Sequence, residues 1–119
     1  MKENILLEKS YQFALRIVKL CRYLNDEKHE FVPSKQILVS GTSIGSQIEE
    51  AQQGENRSDF AHQISVADKH AFKTNYWLRL LHDSEFLNEK QFGSLLADCE
   101  EIQKILISTL KTTKKTLEA

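Results

Sequence analysis

Turn-forming residues are scarce in this chain. Its 119 residues include four glycines and one proline, where an average soluble chain of that length holds roughly eight and six. All-β folds need turn residues about every 8–12 positions, and collagen-like or low-complexity chains need far more Gly or Pro. Those classes are excluded. Cysteine is scarce too, with only Cys21 and Cys99. The first ten residues carry Lys2, Glu3, Glu8 and Lys9, so they lack the long apolar centre of a signal peptide. No apolar run approaches the roughly 20 residues of a membrane span. Without an export signal the two cysteines read as buried free thiols, and the expected compartment is cytoplasmic. An excess of either charge is also missing. The 16 Lys+Arg face 17 Asp+Glu, a formal charge of −1, which excludes a uniformly basic nucleic-acid coat.

What is present is helical periodicity. Apolar residues at Leu6, Leu7, Phe13, Ala14, Ile17, Cys21 and Leu24 recur at helical spacing. Tyr11, Leu15, Val18 and Leu20 widen that face beyond a narrow seam. Asp26 to Glu30 breaks the pattern, and Pro33 suits the first turn of a second helix. The second seam is Ile37, Gly41, Ile44, Ile48 and Ala51, with Gly54 as a left-handed C-cap. Gly41 and Gly45 lie one turn apart, and close approach of a neighbouring helix would offset their poor helix propensity. Ser58 reads as the N-cap of the third helix, with Asp59 in its first turn. Phe60, Ile64, Ala67, Ala71, Thr74, Leu78 and Leu81 then form an unbroken heptad seam. Asn88 and Gln91 form a capping box for the fourth helix. Its seam is Phe92, Leu95, Cys99, Ile102, Leu106, Thr109 and Thr113.

These patterns predict helices over about 4–25, 34–53, 58–83 and 89–115. The connections are short, which makes neighbouring helices antiparallel. The expected fold is all-α, an antiparallel up-down-up-down four-helix bundle in one domain over 1–119.

Two stretches resemble a known family when taken together. One is Thr42-Ser43-Ile44-Gly45-Ser46-Gln47-Ile48-Glu49-Glu50-Ala51. The other runs from Asp59-Phe60 through Ile64, Ala67, Lys69, Ala71 and Thr74 to Tyr76-Trp77-Leu78-Arg79-Leu80-Leu81. The chain resembles the small bacterial four-helix bundle proteins found as open reading frames within intervening sequences of 23S rRNA genes. That resemblance implies a bundle with no established enzymatic activity that assembles as a cyclic homopentamer. A related branch, the accessory protein of diversity-generating retroelements, binds nucleic acid and a reverse transcriptase. Gln47 and Glu49 depart from the family's usual Asn and Ala, while Glu50 fits its acidic position.

Catalytic signals are weak. The nearest approaches to a di-iron Glu-x-x-His motif are Asp59-x-x-His62 and Asp26-x-x-His29, and neither contains Glu. No Cys/His cluster has zinc spacing. Ser43 lies in no strand–turn–helix elbow, and bonding back to the preceding turn is its expected role. Both cysteines fall on apolar seams. No cofactor motif is present. Glu50 borders the second seam, where a carboxylate is costly unless paired. Lys69 or His70 is the candidate partner, and the resemblance adds Tyr76, giving a polar cluster of Glu50, Lys69 and Tyr76. Helix registration is the stronger reading of that cluster, and catalysis the weaker. Trp77 with Tyr76 and Phe72 reads as a core or interface anchor before a base-stacking platform.

Charge placement says more than charge sum. Segments 1–25 and 102–119 each carry +3, whereas 43–60 carries −3 and 85–101 carries −4. Antiparallel helices would bring Lys2, Lys9, Lys111, Lys114 and Lys115 together as a basic end. The primary expectation is a non-catalytic oligomeric protein, a homopentamer by resemblance, with an interface involving Tyr11, Leu15, Val18 and Trp77. The alternative is a nucleic-acid-binding accessory factor that uses the basic end on structured RNA or an RNA–protein complex. Partners are then further copies of the chain, RNA or DNA, or another protein, but not a membrane.

Overall fold

The structure, a computed structural model, describes residues 2–118, with side chains described for 5–117. Four helices account for nearly all of it: α1 Lys2–Asp26, α2 Val32–Ala51, α3 Arg57–Asp83 and α4 Glu89–Glu118. No strand occurs among the described residues, and the chain is all-α.

The helix ends follow local chemistry, not always at the expected residue. α2 starts with Pro33 inside its first turn, where the missing N–H is not needed. It ends at Ala51 in a tightened turn. The N–H groups of Gln52, Gln53 and Gly54 donate to the carbonyls of Glu49, Glu50 and Ala51. Gly54 is therefore not a left-handed cap, since no described glycine has positive φ. Glycine is needed there for space. A Cβ would stand 3.1 Å from the Ala51 carbonyl oxygen and 3.2 Å from the Phe60 nitrogen. The N-cap of α3 is Asn56, not Ser58. Its backbone is extended, and its side-chain oxygen accepts from the Asp59 N–H at 2.8 Å. α4 opens with the expected capping box: Asn88 accepts from the Gln91 N–H at 2.8 Å and its own N–H donates to Gln91 at 3.0 Å.

Packing runs around a ring of four edges. α1 and α3 each pack on α2 and α4, and the α1–α4 edge is the thinnest. Across every edge, residue numbers rise on one helix as they fall on its neighbour. Ser10 meets Gly45, Ile17 meets Gly41 and Cys21 meets Ser34. Ser40 meets Thr74, and Gln47 donates to Gln63. Ala71 meets Cys99 and His82 meets Glu89, while the long side chains of Asn75 and Gln103 reach each other between neighbouring turns. Lys9 and Arg16 meet Glu101 and Asp98. The molecule is long and thin, 51 × 22 × 20 Å.

The axis is filled by Phe13, Ile17, Leu24, Ile37, Ile44, Ile48, Ile64, Leu78, Leu81, Ile102 and Leu106, all fully buried. The α1–α2 edge is the closest. A Cβ on Gly41 would lie 2.8 and 2.9 Å from Ile17 side-chain carbons, and one on Gly45 would lie 3.3 Å from Ser10 Oγ. The glycines thus let two backbones approach. Cys21 and Ser34 fasten the same edge reciprocally, each side chain 3.3 Å from the other's carbonyl. Buried hydroxyls satisfy themselves locally, as Thr109 and Thr113 do on the carbonyls four residues back.

Candidate interaction surfaces

Interior groups offer no accessible reagent. Cys99 is buried at the α3–α4 edge, where burial and the nearby Glu100 and Asp98 charges push its thiol up to about 12. Burial also raises the Cys21 thiol, which its bond with Ser34 partly offsets. A thiol held protonated is a poor nucleophile. Ser43 is not the hydroxyl seen bonding back; its neighbours Thr42 and Ser46 do so, on Leu38 and Ser43. Among the described residues no group of three or more His, Cys, Asp or Glu is placed to hold a metal. No helix of the described residues is long and apolar enough to cross a membrane.

The polar cluster does not assemble. Glu50, Lys69 and Tyr76 are all exposed. Lys69 and Tyr76 are seven positions apart on α3, about 10 Å along its axis. Glu50 instead borders a shallow polar depression with Glu55, Asp59, His62 and Gln63, beside the start of α3. No ion pair or hydrogen bond links the three among the described residues. Tyr76 meets Trp77 edge-on at 5.8 Å, and Arg79 lies over its ring at 5.9 Å. The exposure of Glu50 removes the need for a partner that its seam position suggested.

The basic end is mixed in charge. Lys111, Lys114 and Lys115 are exposed along the end of α4. Lys9 is already engaged with Glu101 at 2.8 Å, which raises its pKa. The side chain of Lys2 lies outside the described residues. The register that brings α4's tail to this end also brings the α2–α3 connection there, with Glu49, Glu50, Glu55 and Asp59. Charge summed by sequence block hides that juxtaposition, and it hides two ion pairs as well. Lys9 and Arg16 lie seven apart on α1, facing Glu101 and Asp98 on α4, and Arg16 further binds Ser94. Opposite charges at helical spacing on the first and last helices were the available signal.

Large apolar side chains are exposed on all four helices, among them Val32 and Val39 on α2 and Ile107 and Leu117 on α4. On α1, Tyr11 is 56 % and Leu15 43 % exposed, with Val18 partly covered beside them. On α3, Phe72, Tyr76 and Leu80 form an outward stripe at i, i+4 and i+8, exposed by 67, 52 and 41 %. Trp77 stands apart from both, because it is half-buried and packs against the core. The outward-facing aromatics of α3 are therefore Phe72 and Tyr76.

A family described as 23S rRNA-intervening sequence proteins matches residues 2–108. The chain belongs to that family. A solved structure of a protein of unknown function, from the S23 ribosomal protein family of Bacteroides thetaiotaomicron VPI-5482, shares 49 % sequence identity with it. The match covers 93 % of this chain and 99 % of the other, with a TM-score of 0.92. None of the curated proteins is a match. For a 23S rRNA-intervening sequence protein, the residues that carry the likeness fall mainly on packing positions. Ile44, Gly45, Ile48 and Ala51 are buried on α2, as are Leu78 and Leu81 on α3.

Proposed function

We propose that this 23S rRNA-intervening sequence protein is a non-catalytic, cytoplasmic interaction protein that works as a homo-oligomer, a homopentamer by family resemblance. In this reading each protomer is an antiparallel up-down-up-down bundle, supported by pairs such as Ala71–Cys99 and His82–Glu89, or Lys9–Glu101 and Arg16–Asp98, whose numbers run in opposite senses. One observation carries the function. The outward apolar side chains include a patch on α1 and an ordered stripe on α3, two helices diagonally opposed across the bundle. Scattered exposed apolar residues are ordinary, but ordered stripes with aromatic anchors are characteristic of interfaces. Two unlike patches favour heterologous contacts, which close into a ring where the rotation between copies permits. Light scattering at micromolar concentration tests the reading, with an expected mass five times 13.8 kDa. A stable monomer overturns it.

A second reading rests on Lys111, Lys114 and Lys115, which stay exposed without an ion pair among the described residues. Repeated around a ring, they would offer a nucleic-acid contact. Glu49, Glu50, Glu55 and Asp59 at the same end oppose it. It predicts retention of structured RNA at about 50 mM salt that falls steeply by about 200 mM. Reversal of the three lysines would abolish retention.

A further inference from the structure

The geometry points to the α3 stripe of one copy seating in the α1–α4 groove of the next, which rests on the homo-oligomer reading and gives it its contacts. The stripe is Phe72, Tyr76 and Leu80, all outward-facing. From Lys69 to His82 the chain carries Lys69, Lys73 and Arg79 and no carboxylate. The surface is thus apolar along its centre and basic on its flanks. Its complement must be apolar and acidic.

Such a surface exists on the same molecule. Along the thinnest edge of the bundle, α1 and α4 leave an open groove of about 430 Å³. Ile5, Phe13 and Ile102 supply its apolar floor, and Glu8, Asp98 and Glu101 its carboxylates. Lys9 and Arg16 each engage one of those carboxylates, and Glu8 stays on the rim. Ring edges of Phe72 and Tyr76 match the floor, and Lys69 and Lys73 match the rim. The stripe lies on α3 and the groove between α1 and α4, so no copy can bury both against itself. Contact must be heterologous, and a closed ring satisfies every stripe and every groove.

The test uses the full chain in three forms. Phe72→Ala with Tyr76→Ala removes the anchors at exposed positions and should weaken association about tenfold or more. Lys69→Glu with Lys73→Glu, and separately Glu8→Lys with Gln12→Lys, should each weaken association on its own. An equimolar mixture of these two charge variants should restore association as species containing both, because the stripe of each then faces the oppositely charged groove of the other, with at least one mismatched contact left in any five-membered ring. Circular dichroism checks that helicity is retained. A monomeric wild type overturns both the inference and the homo-oligomer reading. An oligomeric wild type whose assembly survives Phe72→Ala with Tyr76→Ala overturns only the inference, and assigns the stripe to another partner. Charge variants that stay dissociated when mixed also overturn it.

Discussion

A single methyl group is the smallest change that probes the α1–α2 contact. Gly41→Ala would place a carbon within 3 Å of Ile17, which is fully buried and branched at the contact. Better helix propensity returns about 1 kcal/mol, whereas overpacking a rigid core costs roughly 1–3 kcal/mol. We expect a net loss of about 1 kcal/mol in urea melts. Gly93 is the control on α4, because a Cβ there meets nothing within 4 Å. Gly93→Ala should therefore raise stability, by about 0.5–1 kcal/mol. Equal effects at the two positions would show that spacing does not set the sign. The close approach at Gly41 and Gly45 was legible in sequence, because two glycines one turn apart on an apolar seam have few other uses. The role of Gly54 was not, since it depends on where Asp59 and Phe60 fold back.

Helix ends show the same division at the scale of elements. The Asn88–Gln91 box was readable because both partners lie within four residues. The end of α3 at Asp83 was legible too, but the turn that closes it was not. Its chain closes in a Schellman turn, with the Phe86 N–H on the Leu81 carbonyl at 2.9 Å and the Glu85 N–H on the His82 carbonyl at 3.0 Å. Glu85 takes the left-handed position, φ 68°, without being glycine. Glu85→Gly should relieve that strain. Set against glycine's freer unfolded chain, the expected gain is about 1 kcal/mol, read as a raised melting temperature. Nearby, His82 bridges the turn. Its ring lies 2.6 Å from Glu89 and 3.1 Å from Asp83, and it stacks on Phe92 at 4.1 Å. Hydrogen bonding to Glu89, then to Asp83, raises its pKa from 6.5. The folded form binds the proton more tightly, so its stabilisation is fully present below about pH 6.5. It is lost as pH rises through the raised value. Melting temperature should fall across that window in the wild type, relative to His82→Gln. Parallel profiles would refute the link.

At the scale of the molecule, the four edges are unequal. α2 is held to α1 by glycine-mediated contact and to α3 by a seam of small and branched residues. The α1–α4 edge depends more on Lys9–Glu101 and Arg16–Asp98, whose side chains are 38–55 % exposed. Exposed pairs contribute about 0–1 kcal/mol each. The sequence showed four apolar stripes and hence the bundle. It could not rank the edges, because ranking requires knowing which charges meet across the first and last helices. The ranking predicts where the isolated protomer opens. Arg16→Ala removes the bonds to Asp98 and to Ser94, so global stability should drop by about 1 kcal/mol or less. Amide hydrogen exchange should quicken in α1 and α4, while the α2–α3 edge keeps its protection. In the assembled state the same substitution should have less effect on exchange, because a seated neighbour would cover the groove between those helices. Quickening spread evenly over all four helices would mean the bundle opens as one unit and the α1–α4 edge has no separate weakness.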